Sequence, residues 1–115
     1  VPRKKEGWIG VDLDGTLAKY EGWQGEMHIG EPVPKMVERV RFWLDNGYTV
    51  KIMTARVCRP NSRAIVRRIQ AWTMKHLGQA LDVTNKKDYD MIELWDDRAV
   101  QIVQNTGERA DGAAE

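Results

Sequence analysis

The chain has 115 residues, and 18 basic against 17 acidic side chains leave a formal net charge of +1. That balance supplies no overall field for nucleic acid or a membrane, and one cysteine, Cys58, excludes an internal disulfide framework and suits a reducing compartment. No apolar stretch approaches the roughly 18 residues that span a bilayer, and the charged opening (residues 1–6) is not signal-like, so the expectation is one cytoplasmic domain near the small end of the usual range.

The first element is a strand, expected over residues 7–13, whose apolar run stops at Asp12-Leu13-Asp14-Gly15-Thr16. Residues i and i+2 of a strand point the same way. Asp12 and Asp14 should therefore leave the strand end together, and Gly15 permits a sharp turn behind them. Two carboxylates at one site repel and desolvate each other, which a fold tolerates where a cation or substrate offsets the charge. An Asp-Gly turn closing a strand is the plainer alternative. Residues 19–31, glycine-rich around Trp23 and His28, read as a loop or short flap. Pro32 and Pro34 sit where a helix could begin, Met36, Val37, Val40 and Leu44 follow at helical spacing, and Gly47 stands at the C′ position. A strand over 48–53 ends at Thr54-Ala55-Arg56. The second helix runs from Asn61 or Ser62, either a possible N-cap, to Leu77, with Ile65, Val66, Ile69, Trp72 and Leu77 as its apolar face and Gly78 closing it. Short strands follow at 81–84 and at 92–95, the latter running into Asp96-Asp97. Residues 99–103 suit an edge strand or a helical turn, and 107–115 are small, polar and expected to fray.

Strand, helix, strand, helix, short strand, strand predicts an α/β fold with a mainly parallel sheet. Such sheets bind ligands at the carboxyl ends of their strands, where the strand order reverses. Asp12 and Asp14, Thr54 and Arg56, and Asp96 and Asp97 each end an apolar run, so three strand ends offer three parts of one site.

These pieces, in this order across residues 9–97, resemble the haloacid dehalogenase superfamily of phosphohydrolases. The resemblance implies a three-layer Rossmann-like core and hydrolysis of a phosphomonoester, dependent on Mg²⁺, through an aspartyl-phosphate. In that scheme Asp12 is the nucleophile. Asp14 protonates the leaving oxygen and then takes a proton from water, its pKa raised by the crowded acidic site. Thr54 holds a phosphoryl oxygen through its hydroxyl, and backbone N–H groups near Asp14, Gly15 and Ala55 complete a cradle. Lys87 supplies a fixed positive charge, with Lys86 competing for that place. Asp12, the carbonyl of Asp14 and Asp96 hold Mg²⁺, with Asp97 as a second ligand or an orienting group and the order of the last two open. An aspartate at the position of Asp14 favours a phosphatase within this superfamily, and a phosphotransferase or mutase also carries one.

Most of the superfamily insert a cap domain after the first motif or between the second and third. Here a loop and a helix fill the first interval, and a helix and a short strand fill the second, so the chain is similar to the capless members of phage or prophage type. Their open sites accept large substrates or borrow a neighbouring subunit as a lid, and residues 18–32 are expected to close over the site. Arg56, Arg59, Arg63, Arg67 and Arg68 gather near the expected mouth, Arg63 and Arg67 on one helix face. They could grip phosphates beyond the scissile one, and a solvated helix face is the plainer reading. The order Thr54-Ala55-Arg56, an Arg-rich helix, then Asp96-Asp97-Arg98 is similar to the phosphatase half of polynucleotide kinase-phosphatases, which implies a nucleotide or nucleic acid terminal phosphate as substrate. A small sugar or acid phosphate, or a non-catalytic phosphate-binding module, are the alternatives. Trp23 could stack on a base from the flap, whereas Trp8, Trp43, Trp72 and Trp95 read as core or half-buried. His76, late in a helix, suits the helix dipole.

Overall fold

The computed structural model describes residues 6–114. Its elements are β1 (Trp8–Asp12), α1 (Pro34–Asp45), β2 (Thr49–Met53), α2 (Arg63–Leu77), β3 (Asp82–Thr84) and β4 (Met91–Trp95), with a 3-10 turn, Ala55–Val57, between β2 and α2. The sheet order is β3-β2-β1-β4 and every neighbouring pair is parallel. The chain steps from β1 through β2 to β3, then returns to the other flank of β1. The strand order thus reverses between β1 and β4, where open α/β sheets bind their ligands.

Alternation along the strands explains the core. Ile9 pairs with Val50 and Val11 with Ile52 across the ladder, and all four side chains are buried on one face. Met36, Val40 and Trp43 of α1 and Ile65, Ile69, Trp72 and Leu77 of α2 close over that face as one cluster. The two helices touch each other, and Trp95 meets Trp43 with ring centroids 5.2 Å apart. Each such burial contributes about 1.5–3 kcal/mol. Pro34 opens α1 at a position whose N–H has no helical acceptor. Gly78 ends α2 in the left-handed conformation at φ 83°. Ser62 stands at the N-cap of α2, but its side chain makes no capping bond.

The opposite face of the sheet has no helix among the described residues. Trp8 lies there over Gly10, donates its indole N–H to Asp88 Oδ1 at 2.8 Å and receives the Lys51 ammonium 4.8 Å from its ring centroid. The parallel α/β architecture is the one the alternation predicts, while the third layer implied by the resemblance lacks a helix because a loop joins β3 to β4. Residues 99–103 form neither a regular strand nor a helical turn. Val103 donates its N–H to Glu108 O and Ala110 its N–H to Gln101 O, each at 2.8 Å. Residues 107–114 are therefore folded back rather than frayed, and Glu115 lies outside the described residues. No helix among the described residues is long and apolar enough to cross a membrane. His76 stacks on Trp72 at 4.6 Å, and burial followed by the Lys75 charge lowers its pKa, the reverse of what the helix dipole alone would do.

Thr73 is a buried polar side chain that apolar spacing did not reveal. Its hydroxyl donates to Gln70 O at 3.1 Å and accepts the Leu81 N–H at 3.0 Å, which fixes the entry to β3. Thr73→Val keeps the shape and leaves the Leu81 N–H without an acceptor. A loss of about 1–3 kcal/mol is expected, read as a lower urea midpoint at an unchanged slope.

Candidate active site

β1 delivers Asp12 to the carboxyl edge of the sheet beside the strand reversal. The chain then coils tightly, with the N–H groups of Leu17 and Ala18 donating to Leu13 O at 3.1 and 2.8 Å. Leu13 and Leu17 are fully buried and anchor this coil. Gly15 takes φ +89°, and a Cβ there would fall 2.6 Å from Asp97 Oδ2. Its N–H donates to Ala18 O at 2.8 Å, so it is not free for the phosphate cradle that the resemblance implied. Gly15 serves the site by conformation and by leaving room for Asp97. Gly15→Ala is expected to cost about 1–2 kcal/mol in backbone strain and to displace Asp97, measured as a lower melting temperature.

Asp12, Asp96 and Asp97 each bring a carboxylate oxygen within 4.8 Å of the others. Thr16 clips the two loops together. Its Oγ1 accepts the Asp97 N–H at 3.0 Å and lies 3.4 Å from Asp12 Oδ2 and 3.3 Å from Asp97 Oδ1, so its one proton serves one carboxylate at a time. Arg98 donates its N–H to Asp96 Oδ1 at 2.8 Å, bending the chain after β4. Burial first, then the charge of Asp96 and the hydrogen bond and charge of Asp97, raise the pKa of Asp12 from 3.8 to about 7. Three converging carboxylates fit a hard divalent cation with oxygen ligands.

Asp14 turns away from this cluster. Its Oδ2 accepts from Arg56 Nε and its Oδ1 from Arg56 Nη2, both at 2.8 Å, and the two side chains are 24% and 6% exposed. Arg56 Nη1 donates to Glu26 O at 2.7 Å, and the guanidinium carbon lies 5.3 Å from the Trp23 ring centroid. The donors of Arg56, read from the sequence as substrate contacts, meet Asp14 and the flap. Thr54 is buried beside them at the end of β2. Its N–H donates to Thr84 O at 2.9 Å and its Oγ1 accepts the Arg56 N–H at 3.1 Å, capping the 3-10 turn and keeping the hydroxyl proton for another acceptor. The Ala55 N–H, at the first position of that turn, has no acceptor within it.

Asp12, Asp14, Thr54, Ala55, Arg56, Asp96 and Asp97 line one cavity of about 780 Å³, with Trp23, Arg59, Asn85 and Arg98 also on its walls. Of the other expected residues, Gly15 stays in the turn behind Asp97 and does not line the cavity, and Lys87, Arg63 and Arg67 lie elsewhere. Lys87 is exposed, with Lys86, on the loop after β3, and the wall of the cavity receives Asn85 from that loop. Arg63 and Arg67 line a separate groove of about 620 Å³ with Asn61 and Gln70. A chamber of about 210 Å³ beneath the flap shares Asp14, Tyr20 and Arg56 with the main cavity. Thr16 and Asn85 were not singled out from the sequence, although Thr16 belongs to the acidic motif and Asn85 adjoins the lysine pair.

No family model matches the chain, and no curated protein matches it. A solved structure of a conserved protein from Bacteroides thetaiotaomicron superposes with a TM-score of 0.58 at 21% sequence identity, covering 82% of this chain and 78% of that one. At that identity the likeness concerns the fold, a parallel α/β sheet.

Proposed function

We propose that the chain is a Mg²⁺-dependent phosphomonoester hydrolase of the haloacid dehalogenase type, acting on the terminal phosphate of a nucleotide or nucleic acid. The observation that carries this reading is the convergence of Asp12, Asp96 and Asp97 at the strand reversal, with Thr54 in the same cavity. The three carboxylates and the Asp14 carbonyl would hold Mg²⁺, which when bound screens the phosphoryl charge and orients the ester. Asp12 attacks phosphorus, the bond to the leaving oxygen breaks, and that oxygen takes a proton from Asp14. Asp14 then accepts a proton from the water that hydrolyses the aspartyl-phosphate. The Thr54 hydroxyl and the Ala55 N–H donate to phosphoryl oxygens. Lys87 serves as the fixed cation if its loop folds inward on substrate.

Charge segregation supports an anionic substrate larger than one phosphate. From Ala55 to Leu81 the chain has no acidic residue, while Arg56, Arg59, Arg63, Arg67, Arg68 and Lys75 are basic. Arg59 and Arg98 reach the cavity wall, and Trp23, 59% exposed at the rim, offers a face on which a base can stack. The test is phosphate release, with and without Mg²⁺, from an aryl phosphate, mononucleotides, sugar phosphates and oligonucleotides phosphorylated at either end. Metal-dependent release with preference for the nucleotide esters is expected. Charge reversal at Arg59 and Arg98 should raise KM for the oligonucleotide about tenfold and leave the aryl ester unchanged. Equal effects on both would contradict the nucleic acid assignment, and preference for a sugar phosphate would replace it.

A further inference from the structure

Arg56 ties together two parts of the molecule that the proposed reaction uses separately. Through Nε and Nη2 it occupies both carboxylate oxygens of Asp14. Through Nη1 it holds the flap at Glu26 O, and the Trp23 ring lies over its guanidinium. Arg59 and Arg68 add solvent-exposed ties to the same segment, at Glu26 Oε1 (3.5 Å) and Met27 O (3.0 Å). The base of the flap is fixed independently. Lys19 donates its N–H to Glu31 O at 2.8 Å, and the Trp72 indole donates to Gly30 O at 3.2 Å. Movement of the flap is therefore confined to the stretch between these anchors, and Arg56 is the buried side chain that restrains it.

A carboxylate that accepts from one guanidinium through both oxygens is held in a strong, directional pair and has neither oxygen turned to a leaving group. Arg56 lines the cavity in which a phosphoryl group would sit. A phosphate dianion carries more charge than Asp14 and matches the same guanidinium fork. We propose that Arg56 is a positioning residue that works as a latch. In the arrangement seen here it holds Asp14 and the flap together, and a phosphoryl dianion in the cavity draws the guanidinium from both, turning Asp14 free and loosening the flap. This rests on the phosphatase reading of the cavity, while the exchange of partners requires no turnover.

Amide hydrogen exchange of residues 19–31 in the full chain, with Mg²⁺ present and inorganic phosphate as the probe, tests the latch. Phosphate is expected to speed flap exchange in the wild type by about fivefold or more. In Arg56→Ala the flap should exchange about tenfold faster from the start and no longer respond to phosphate. Arg56→Lys, which can keep one contact but not the fork, should fall between. Trp23→Ala removes an exposed ring, leaves the core untouched and should speed exchange about threefold. Slower flap exchange on adding phosphate, no binding of phosphate, unchanged exchange despite binding seen by calorimetry, or an Arg56→Ala flap as protected as the wild type would each overturn the latch. The phosphatase reading fails on a different result, the absence of metal-dependent phosphate release from every ester, so the two failures are distinguishable.

Discussion

Asp12→Asn is expected to lower metal-dependent phosphate release by at least about 10⁴-fold in a protein that remains folded. Asn matches the shape of Asp, and the residues around it hold their places without the charge: Val11 and Leu13 are fully buried and β1 is paired on both sides. What disappears is the attacking oxygen of the proposed reaction and one of the three charges at the cluster. A protein that only binds phosphate would change affinity under the same substitution and show no turnover to lose. Turnover and circular dichroism on one preparation separate lost chemistry from lost structure.

Stability of the metal-free protein is expected to fall as pH rises toward neutrality, and Mg²⁺ to reverse the fall. The pKa of Asp12 is 3.8 in the reference state and about 7 in the fold. Between those values the folded chain holds a proton that the unfolded chain has released, so stability decreases with pH. The contribution is complete below about pH 4 and is lost as pH passes through about 7. In a dry site such a rise would be worth about 4 kcal/mol; Asp12 is half-buried and faces a cavity open to water, and screening reduces the expected effect to about 1–2 kcal/mol. Under the proposed function Mg²⁺ would bind the ionised cluster and stabilise the fold by about 2.7 kcal/mol at a hundredfold excess over Kd, and a chelator would remove that gain. Urea midpoints across this pH range, with and without Mg²⁺, give both slopes. Asp12→Asn should flatten the metal-free slope, and an unchanged slope would assign the titration to another group.

The order of elements was legible because each is declared locally. Alternating apolar residues in β1 and β2, the 3.6-residue spacing of Met36, Val40 and Ile65, Ile69, and Gly78 after α2 are short-range signals, and the helices end close to where those signals put them. The strand ends were legible for the same reason, and Asp12, Thr54 and Asp96 do share a cavity. The orientation of Asp14 was not. The i, i+2 rule holds only while the chain is extended, and β1 stops at Asp12. Beyond it the burial of Leu13 and Leu17 coils the backbone, and Arg56, distant in sequence, decides where Asp14 points. Long-range partners hid Thr73 as well, since its acceptor role depends on Leu81 returning across α2. The folded-back segment after β4 has neither period, so nothing in its sequence marked the pairing of Gln101 with Ala110.

Covalent capture of the phosphoryl group tests the central claim most directly. In the proposed reaction Asp14→Asn removes both the acid that protonates the leaving oxygen and the base that activates water; with an aryl phosphate, whose phenolate leaves without a proton, only the second step is slowed and the adduct should accumulate. With Mg²⁺ and that aryl phosphate, an acid quench followed by peptide mass spectrometry is expected to find one phosphoryl group on the peptide containing Asp12, labile to hydroxylamine and missing from Asp12→Asn. Metal-dependent turnover with no phosphoryl group on that peptide, or turnover that survives Asp12→Asn, would contradict an aspartate nucleophile at this strand end.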